Sequence, residues 1–460
     1  MSGNRFPTRG ETYVTAAMAA LSYINTRDWG TRWSVLDAHL GRDRLPRAGT
    51  PAASQSMTLR FSPWDAEGWT MTVVTEMHEE HGATFEERGG RRIVTDYGRP
   101  ERTHRAVRNG AGVIEMGYGV VVVEGEDRVE FVDNTVSNRV PRANGEGVYA
   151  LLLDPQGRIE TDLYVYNAGE RLLCFTPPDR AEPLVDDWSE KVFIQDVELR
   201  EASTDFAVFG VHGPKSTEKV ASVLTGPGSP EPALTFVRGS MGDEGVTVIA
   251  GDGLTGEEGY EVVCAADAAE RVFETLLTFG MNAVPFGYRT WETLTIEAGT
   301  PLFETELDGR IPNVLGLRNA LDFEKGCFVG QEVVSKVENR GQPSQRLIGL
   351  RIDAEEDADA DDAAVTGLPE PGAVVVDDDE RVGEITRADA SPSLDASVAL
   401  ALVDYELAGT LEADDDAAAL RVQGESGTET GVPDLDARVV QLPFVGGSAA
   451  SARCPDYHGG

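Results

Sequence analysis

The hydrophobic positions between residues 118 and 176 fall in short runs, and they predict antiparallel strands. Glycine, proline, aspartate and asparagine separate these runs, and turns of this length join antiparallel strands rather than βαβ units. The predicted strands are Tyr118–Glu124, Arg128–Val132, Tyr149–Leu153, Ile159–Tyr166 and Leu172–Thr176.

Predicted helices lie on both sides of this region. Pro100–Arg108 predicts a short helix that opens with proline. Further along, apolar residues at helical spacing predict helices, and short apolar runs between them predict strands. The strands are Phe206–Val211, Val246–Ile249 and Gly259–Val263, and the helices are Gly213–Leu224, Ala268–Thr278 and Gly287–Ala298. Antiparallel strands mixed with helices indicate an α+β fold over residues 71–340.

After residue 340 the pattern changes to short strands separated by acidic turns. The acidic stretch Ala354–Ala364 is predicted to be a solvated loop, because blocks of like charge repel and stay exposed. The chain from 341 to 446 therefore predicts a small β-barrel, and residues 447–460 predict a tail. The barrel strands are Leu347–Ile352, Val374–Val376, Val382–Thr386, Ala399–Val403 and Leu420–Val422.

Residues 1–70 form an atypical N-terminal extension. They contain eight arginines, no lysine and six acidic residues, and four of the six tryptophans of the chain. No helical or strand period is sustained there. One interpretation is a basic extension with a function of its own. The favoured one is an over-called translation start, with the true beginning at Met71 or Met77, because the composition changes just before Met71.

Charge limits the classes of partner. Forty basic residues stand against 79 acidic ones, so the formal net charge is −39, which argues against nucleic acid and anionic membranes as partners. The aspartate-rich, lysine-poor composition resembles that of cytosolic proteins of extreme halophiles. Four cysteines without CxxC or zinc spacing favour a reducing cytoplasm and predict no metal site. No apolar run is long enough to predict a transmembrane helix.

The segment Lys325–Glu332, with the sequence KGCFVGQE, carries the most unusual candidate chemistry. Cys327 lies between two glycines, which permit close approach of another group. Lys325 would lower the pKa of the thiol, and Glu332 would oppose that effect. The alternative is a helix start that holds a small, half-buried thiol for packing.

This segment resembles the signature of the YgfZ branch of the T-protein family of folate-binding aminomethyltransferases. Four other segments resemble motifs of the family in the same order: Val208–Lys215, Gly253–Glu261, Phe286–Leu307 and Val382–Ala401. The resemblance implies a three-lobed fold, in which two antiparallel α+β lobes form a central funnel for tetrahydrofolate and a C-terminal β-barrel is the third lobe.

The resemblance also implies cofactor-binding residues. Glu261 matches the family glutamate that accepts hydrogen bonds from the pterin ring, a charge-assisted pairing that orients the ring. Arg289 matches a folate-contacting arginine. Leu254 stands where the folate loop of the family has tyrosine, and Tyr260 lies at the end of the same loop.

Two residues are candidate catalytic groups. Glu115 matches the aspartate of a family Asp-x-Ser-His-Met segment, but it is one methylene longer and the Ser-His pair is absent. A purely structural Glu115 is the alternative. Cys327 matches the cysteine that, in the YgfZ branch, accompanies a folate-dependent role in maintaining iron–sulfur enzymes.

Three hypotheses follow. The favoured one is a tetrahydrofolate-binding protein whose one-carbon chemistry supports iron–sulfur proteins, with client or assembly proteins as partners. The second is an aminomethyltransferase of glycine cleavage, which takes the aminomethyl group from a lipoylated carrier protein and releases ammonia, or a related demethylase. The third is a non-catalytic folate-binding scaffold.

Overall fold

The computed structural model describes residues 72–353, 368–378, 380–413, 419–423 and 434–457. The extension predicted for residues 1–70, the acidic stretch Ala354–Ala364 and the last three residues of the predicted tail lie outside these ranges.

Strands and helices alternate through the first two thirds of the described chain, and strands dominate its last third. The strands are β1 (Thr84–Arg88), β2 (Arg91–Asp96), β3 (Gly112–Glu115), β4 (Gly119–Glu124), β5 (Glu146–Leu153), β6 (Ile159–Asn167), β7 (Arg171–Thr176), β8 (Glu198–Glu201), β9 (Phe206–His212), β10 (Phe236–Met241), β11 (Glu244–Ala250), β12 (Gly259–Ala265), β13 (Val284–Pro285), β14 (Gln345–Ile352), β15 (Val374–Asp377), β16 (Glu380–Ser391), β17 (Ala396–Asp404), β18 (Ala419–Gln423) and β19 (Leu435–Val440). The α-helices are α1 (Thr75–Glu80), α2 (Pro100–Asn109), α3 (Arg128–Thr135), α4 (Ala181–Lys191), α5 (Ser216–Val223), α6 (Ala269–Thr278), α7 (Tyr288–Glu297), α8 (Gln331–Arg340) and α9 (Tyr405–Ala413).

The strands form two open sheets, a hairpin and a closed barrel. One sheet has the order β5-β6-β7-β4-β8 and is antiparallel, and the other has the order β10-β11-β12-β9-β3-β13, in which only β13 runs parallel to its neighbour. Strands β14-β17-β16-β15-β18-β19 close the barrel. This arrangement confirms the predicted α+β fold with a C-terminal β-barrel.

Both open sheets are buried on both faces. On β4, Val120 and Val122 point into a central apolar cluster, whereas Val121 and Val123 point into an outer cluster with Trp188 of α4. The central cluster draws residues from both sheets and from the barrel. Burial on both faces explains why these strands read as continuous valine runs rather than as alternating patterns.

The prediction of a strand over Arg128–Val132 is wrong, because these residues begin helix α3. Val129, Val132 and Val136 recur at helical spacing and pack into the outer cluster, a period that a five-residue window does not reveal. The other predicted helices and strands are confirmed with shifts of a few residues at their ends. The sequence does not predict helices α1, α4 and α9, nor strands β1, β8, β10 and β19.

Residues 447–457, which the sequence assigns to a tail, pack against the rest of the chain. The Ser448 hydroxyl donates to Glu257 (2.7 Å), and the Tyr457 hydroxyl donates to the carbonyl of Val314 (2.6 Å). The Arg453 side chain is buried. This segment therefore forms part of the folded core.

Glu297, at the C-terminal end of α7, links two helices to the barrel. Its fully buried carboxylate accepts hydrogen bonds from His104 (2.9 Å), Arg108 (2.7 Å) and Ser391 of β16 (2.5 Å). Burial alone would raise its pKa, but His104 and the Arg108 guanidinium hold the pKa at about 2.

We expect Glu297→Gln to lower the free energy of unfolding by about 3 kcal/mol at neutral pH, because it removes the nearer of the two carboxylates, Glu297 and Glu257, that pair with the buried Arg108 guanidinium. A carboxyl whose pKa is depressed to about 2 stabilises the fold above its ordinary pKa of 4.5 and loses that contribution as the pH falls towards 2. The difference between wild type and variant should therefore be smaller at pH 4 than at pH 7 in denaturant titrations. The exposed Glu190→Gln change is the control, and an equal effect of both substitutions would contradict the assignment.

Candidate functional site

Two adjoining cavities lie between the open sheets. The larger has a volume of about 140 Å³ and the smaller about 20 Å³. Four residues line both: Tyr118, Tyr164, Phe175 and Leu254. A cavity of about 150 Å³ holds a benzene ring, and about 15 Å³ suffices for one water molecule. The pair therefore resembles a ring-sized chamber with a narrow inner end.

Aromatic side chains form the walls. Tyr118 stacks on Phe175 with ring centroids 5.6 Å apart and 19° between the planes, and Tyr164 stacks on Tyr166 at 6.2 Å and 13°. Such parallel rings offer flat apolar surfaces on which a planar heterocycle can stack.

Glu261 lines the inner cavity from strand β12. Its side chain faces the cavity because neighbours on a strand point to opposite sides, and Tyr260 and Val262 point into a separate apolar cluster, with Phe209 and Phe273, behind the sheet. Its Oε2 has no hydrogen-bond partner in the described part of the chain. Burial, together with the nearby Asp252, raises the pKa of this carboxyl to about 8. A buried acceptor without a partner is costly and fits a ligand that donates hydrogen bonds.

A second carboxyl is connected to a buried arginine. Arg453 donates to Asp162 (2.8 Å) and to the hydroxyl of Tyr164 (2.8 Å), and Tyr164 in turn donates to Asp252 (2.8 Å). The guanidinium also lies over the Tyr149 ring at 4.0 Å. Asp162 and Arg453 line the larger cavity, and Asp252 lines the inner one.

The sequence did not single out Asp162, Asp252 or Arg453. Asp162, Tyr164 and Tyr166 alternate on one strand, so a period of two would have placed them on one face. Asp252 lies between two glycines just before the Gly253–Glu261 loop, and no local signal marks Arg453.

Of the four predicted cofactor-binding residues, Glu261 and Leu254 lie together at the cavities. Tyr260 and Arg289 are not among the residues that line either cavity. The Tyr260 hydroxyl lies 3.0 Å from that of Thr217 behind the sheet. The Arg289 side chain is 52% exposed and lies 3.3 Å from Asp389.

Glu115 also lies outside the cavity walls, although Met116, Gly117 and Tyr118 just after it line them. Its buried carboxylate accepts the Val73 N–H (2.8 Å) and a hydrogen bond from His78 Nε2 (2.8 Å). The Tyr97 hydroxyl donates to the other ring nitrogen of His78 (2.7 Å). His78 and the Val73 N–H hold the pKa of Glu115 below its usual value despite burial. Glu115 thus fastens helix α1 to strand β3.

Cys327 is exposed in the loop before α8, and it is not among the residues lining the cavities. The Lys325 ammonium is turned inward, where it donates to the carbonyls of Asp133, Val136 (2.8 Å) and Asn138 (2.8 Å) at the C-terminal end of α3. A cation at this end of a helix is favourable. Lys325 therefore stabilises the loop.

We expect Glu115→Ala to free helix α1 while leaving the cavity walls in place. Loss of two hydrogen bonds to a buried carboxylate should speed amide hydrogen exchange at residues 73–81 by about tenfold or more. Exchange at residues 120–123 should stay unchanged. The exposed Glu76→Ala change on the same helix is the control, and unaltered exchange in Glu115→Ala would contradict this role.

The chain matches two family models, which follow one another along the sequence in the same order as the α+β part and the barrel. Residues 74–325 match the GCVT N-terminal domain, and residues 345–445 match the glycine cleavage T-protein C-terminal barrel domain.

Curated relatives and a solved structure show the same similarity. An aminomethyltransferase of Cutibacterium acnes is 30% identical over 390 residues, which is 81% of this chain and 97% of the relative. One of Bacillus subtilis is 27% identical over 343 residues, covering 73% and 91% of the two chains. The crystal structure of glycine cleavage system aminomethyltransferase T from Bartonella henselae superposes with a TM-score of 0.70 at 21% identity, and it covers 83% of this chain and 99% of that one. The structural match supports the fold, and the two family models together with the relatives show that the chain belongs to the T-protein family of aminomethyltransferases.

Proposed function

We propose that the two cavities bind tetrahydrofolate, and that the protein is a folate-dependent one-carbon transferase. The observation that carries the proposal is the buried, unpartnered Oε2 of Glu261 at the end of an aromatic chamber. A pterin ring is planar and presents adjacent N–H donors on one edge. Aromatic walls and a buried carboxylate fit those two properties.

The residues of the chain would bind, orient and shield the ring. Glu261 would accept the donor edge, and the rings of Tyr118 and Phe175 would cover a face. Leu254 would close the chamber with an apolar side chain and keep water out. Bound tetrahydrofolate supplies the amine that accepts the one-carbon unit. Glu115 enters this proposal as a positioning residue, because it anchors the strand that leads into the cavity wall.

We expect tetrahydrofolate to bind more tightly as the pH rises towards 8, and then to level off. Burial raises the pKa of free Glu261 to about 8, whereas two N–H donors favour the ionised form, so binding below pH 8 must release a proton. Calorimetry in buffers with different ionisation enthalpies measures that release directly.

Glu261→Gln should weaken binding by about 100-fold and abolish the proton release, because it replaces a charged acceptor by a neutral amide. Glu258→Gln, at an exposed carboxyl of the same loop, is the matched control. Retained affinity in Glu261→Gln would remove the basis of the proposal.

We propose that the one-carbon chemistry of this protein serves the maintenance of iron–sulfur proteins. Two features support it: Cys327 is exposed and available to a partner, and no carboxylate at the Glu115 position reaches the cavity wall. Glycine cleavage, with a lipoylated carrier protein as the partner, is the second candidate. The names of the relatives from Cutibacterium acnes and Bacillus subtilis favour it.

We expect no ammonia release and no methylene-tetrahydrofolate when wild-type protein is given aminomethyl-loaded lipoyl carrier. In a strain that lacks the protein, wild type should restore iron–sulfur enzyme activity and Cys327→Ser should not, while both bind tetrahydrofolate with the same affinity. Carrier-dependent turnover would assign glycine cleavage instead. Folate binding without either activity would support the third hypothesis, a non-catalytic folate-binding scaffold.

The acidic composition supports a cytoplasmic setting with concentrated salt, where the Debye length falls to about 3 Å at 1 M and screens the repulsion between like charges. These binding measurements therefore belong in multimolar KCl. Within the described ranges no helix has the length and apolar character needed to cross a bilayer.

A further inference from the structure

His212 is a second buried group without a partner at the inner cavity. It lines that cavity, its side chain is among the buried polar groups, and its Nε2 has no hydrogen-bond partner in the part of the chain that the structure describes. Burial lowers the pKa of the imidazole to about 3, so the ring is neutral at physiological pH. A neutral imidazole has one N–H donor to offer.

The imidazole is held in one position by its surroundings. A side-chain carbon at Gly210 would lie 2.6 Å from Nε2, and one at Gly259 would lie 2.6 Å from Nδ1, so glycine at both positions makes room for the ring. Phe286 and Trp291 meet the ring edge-on, with centroids 6.2 Å and 5.1 Å away. The orientation of Nε2 is therefore built into the fold.

Strand pairing puts this imidazole beside Glu261. Gly210 on β9 is the direct partner of Glu261 on β12, and His212 is the partner of Gly259. The side chains of His212 and Glu261 thus share one face of the sheet as diagonal neighbours. A buried ring nitrogen, His212 Nε2, and a buried carboxylate oxygen, Glu261 Oε2, lie on the same face, and neither atom has a hydrogen-bond partner within the described residues.

We propose that His212 Nε2–H recognises the ring carbonyl next to the ring N–H that Glu261 binds, so that the inner cavity selects a cyclic amide edge. This inference rests on the proposed folate site and names a determinant of its specificity. A carbonyl oxygen and an adjacent N–H satisfy both unpartnered groups at once. A ring with an amino group in place of that oxygen presents a donor to a donor, which leaves the imidazole unsatisfied.

The test compares tetrahydrofolate with tetrahydroaminopterin, in which an amino group replaces the ring oxygen and the adjacent ring nitrogen carries no hydrogen. The loss of that N–H weakens the contact with Glu261 in wild type and in the His212 variants alike, so the readout is the change in preference that each substitution causes. Binding to wild type, His212→Phe and His212→Gln is measured by calorimetry at pH 8. Wild type should prefer tetrahydrofolate, and His212→Phe should reduce that preference by about tenfold, chiefly by weakening tetrahydrofolate. Gln carries an N–H donor, so His212→Gln should keep part of the preference. His81→Phe, the same change at an exposed histidine, is the control.

A second measurement does not depend on a substituted protein. In wild type labelled with ¹⁵N-histidine, the signal of the buried neutral imidazole should shift with tetrahydrofolate and not with its amino counterpart. Equal shifts, or an unchanged preference in folded His212→Phe, would overturn the role of His212 and leave the folate site intact. If a water molecule mediated the contact between His212 and the ligand, His212→Phe would weaken the binding of both ligands equally. That result would also overturn the proposed role of His212. If wild type binds neither ligand, the proposed folate site falls and this inference falls with it.

Discussion

The cavity depends on the hydrogen bonds and the ion pair that the buried carboxylate of Glu297 makes. Arg108 donates both to Glu297 and to the backbone carbonyl of Thr255 (2.8 Å), so one guanidinium ties helix α7 to the Gly253–Glu261 loop. Ser391 brings the barrel to the same carboxylate. An ion pair removed from water is costly to break, because either partner left alone is a buried, uncompensated charge. Helix, loop and barrel are thereby held in one arrangement around the chamber.

Asp162, Asp252 and Glu261 are the buried carboxyls among the residues that line the cavities, and their surroundings separate their roles. Asp162 has Arg453 as a direct partner, Asp252 accepts a hydrogen bond from the Tyr164 hydroxyl, and the Glu261 carboxyl lies near Asp252 and interacts with the Tyr118 hydroxyl. Burial raises the pKa of both Asp252 and Glu261. A Glu261 carboxyl that is partly neutral without a ligand would become an ionised acceptor when donors arrive, so under the proposed function the chamber would discriminate by hydrogen-bond pattern as well as by shape.

The sequence predicts most of the fold, because periods of two and 3.6 mark the strands and helices and the turns separate them. Glu261 follows from the resemblance of Gly253–Glu261 to the folate loop of the family, because strand periodicity alone would leave it as an exposed glutamate; the structure places it at the inner cavity. The sequence does not predict Arg453, whose partner Asp162 is 291 residues away along the chain. Nor does it show which face of α7 meets the cavity. Arg289 and Trp291 are two positions apart, about 200° around a helix, and only Trp291 lines the cavity.

Packing accounts for some residues of the Lys325–Glu332 segment and leaves others without a structural reason. Lys325 binds the end of α3, Phe328 is buried, and Gly330 has φ +79° with the carbonyl of Asp154 where a side chain would be. Gly326 has open space around it and Cys327 is exposed. The stability of the fold requires neither Gly326 nor Cys327. The segment presents a small, accessible thiol on the surface, outside both cavities. Under the proposed function, chemistry that uses both the thiol and the cavities would need a partner that reaches the thiol from outside.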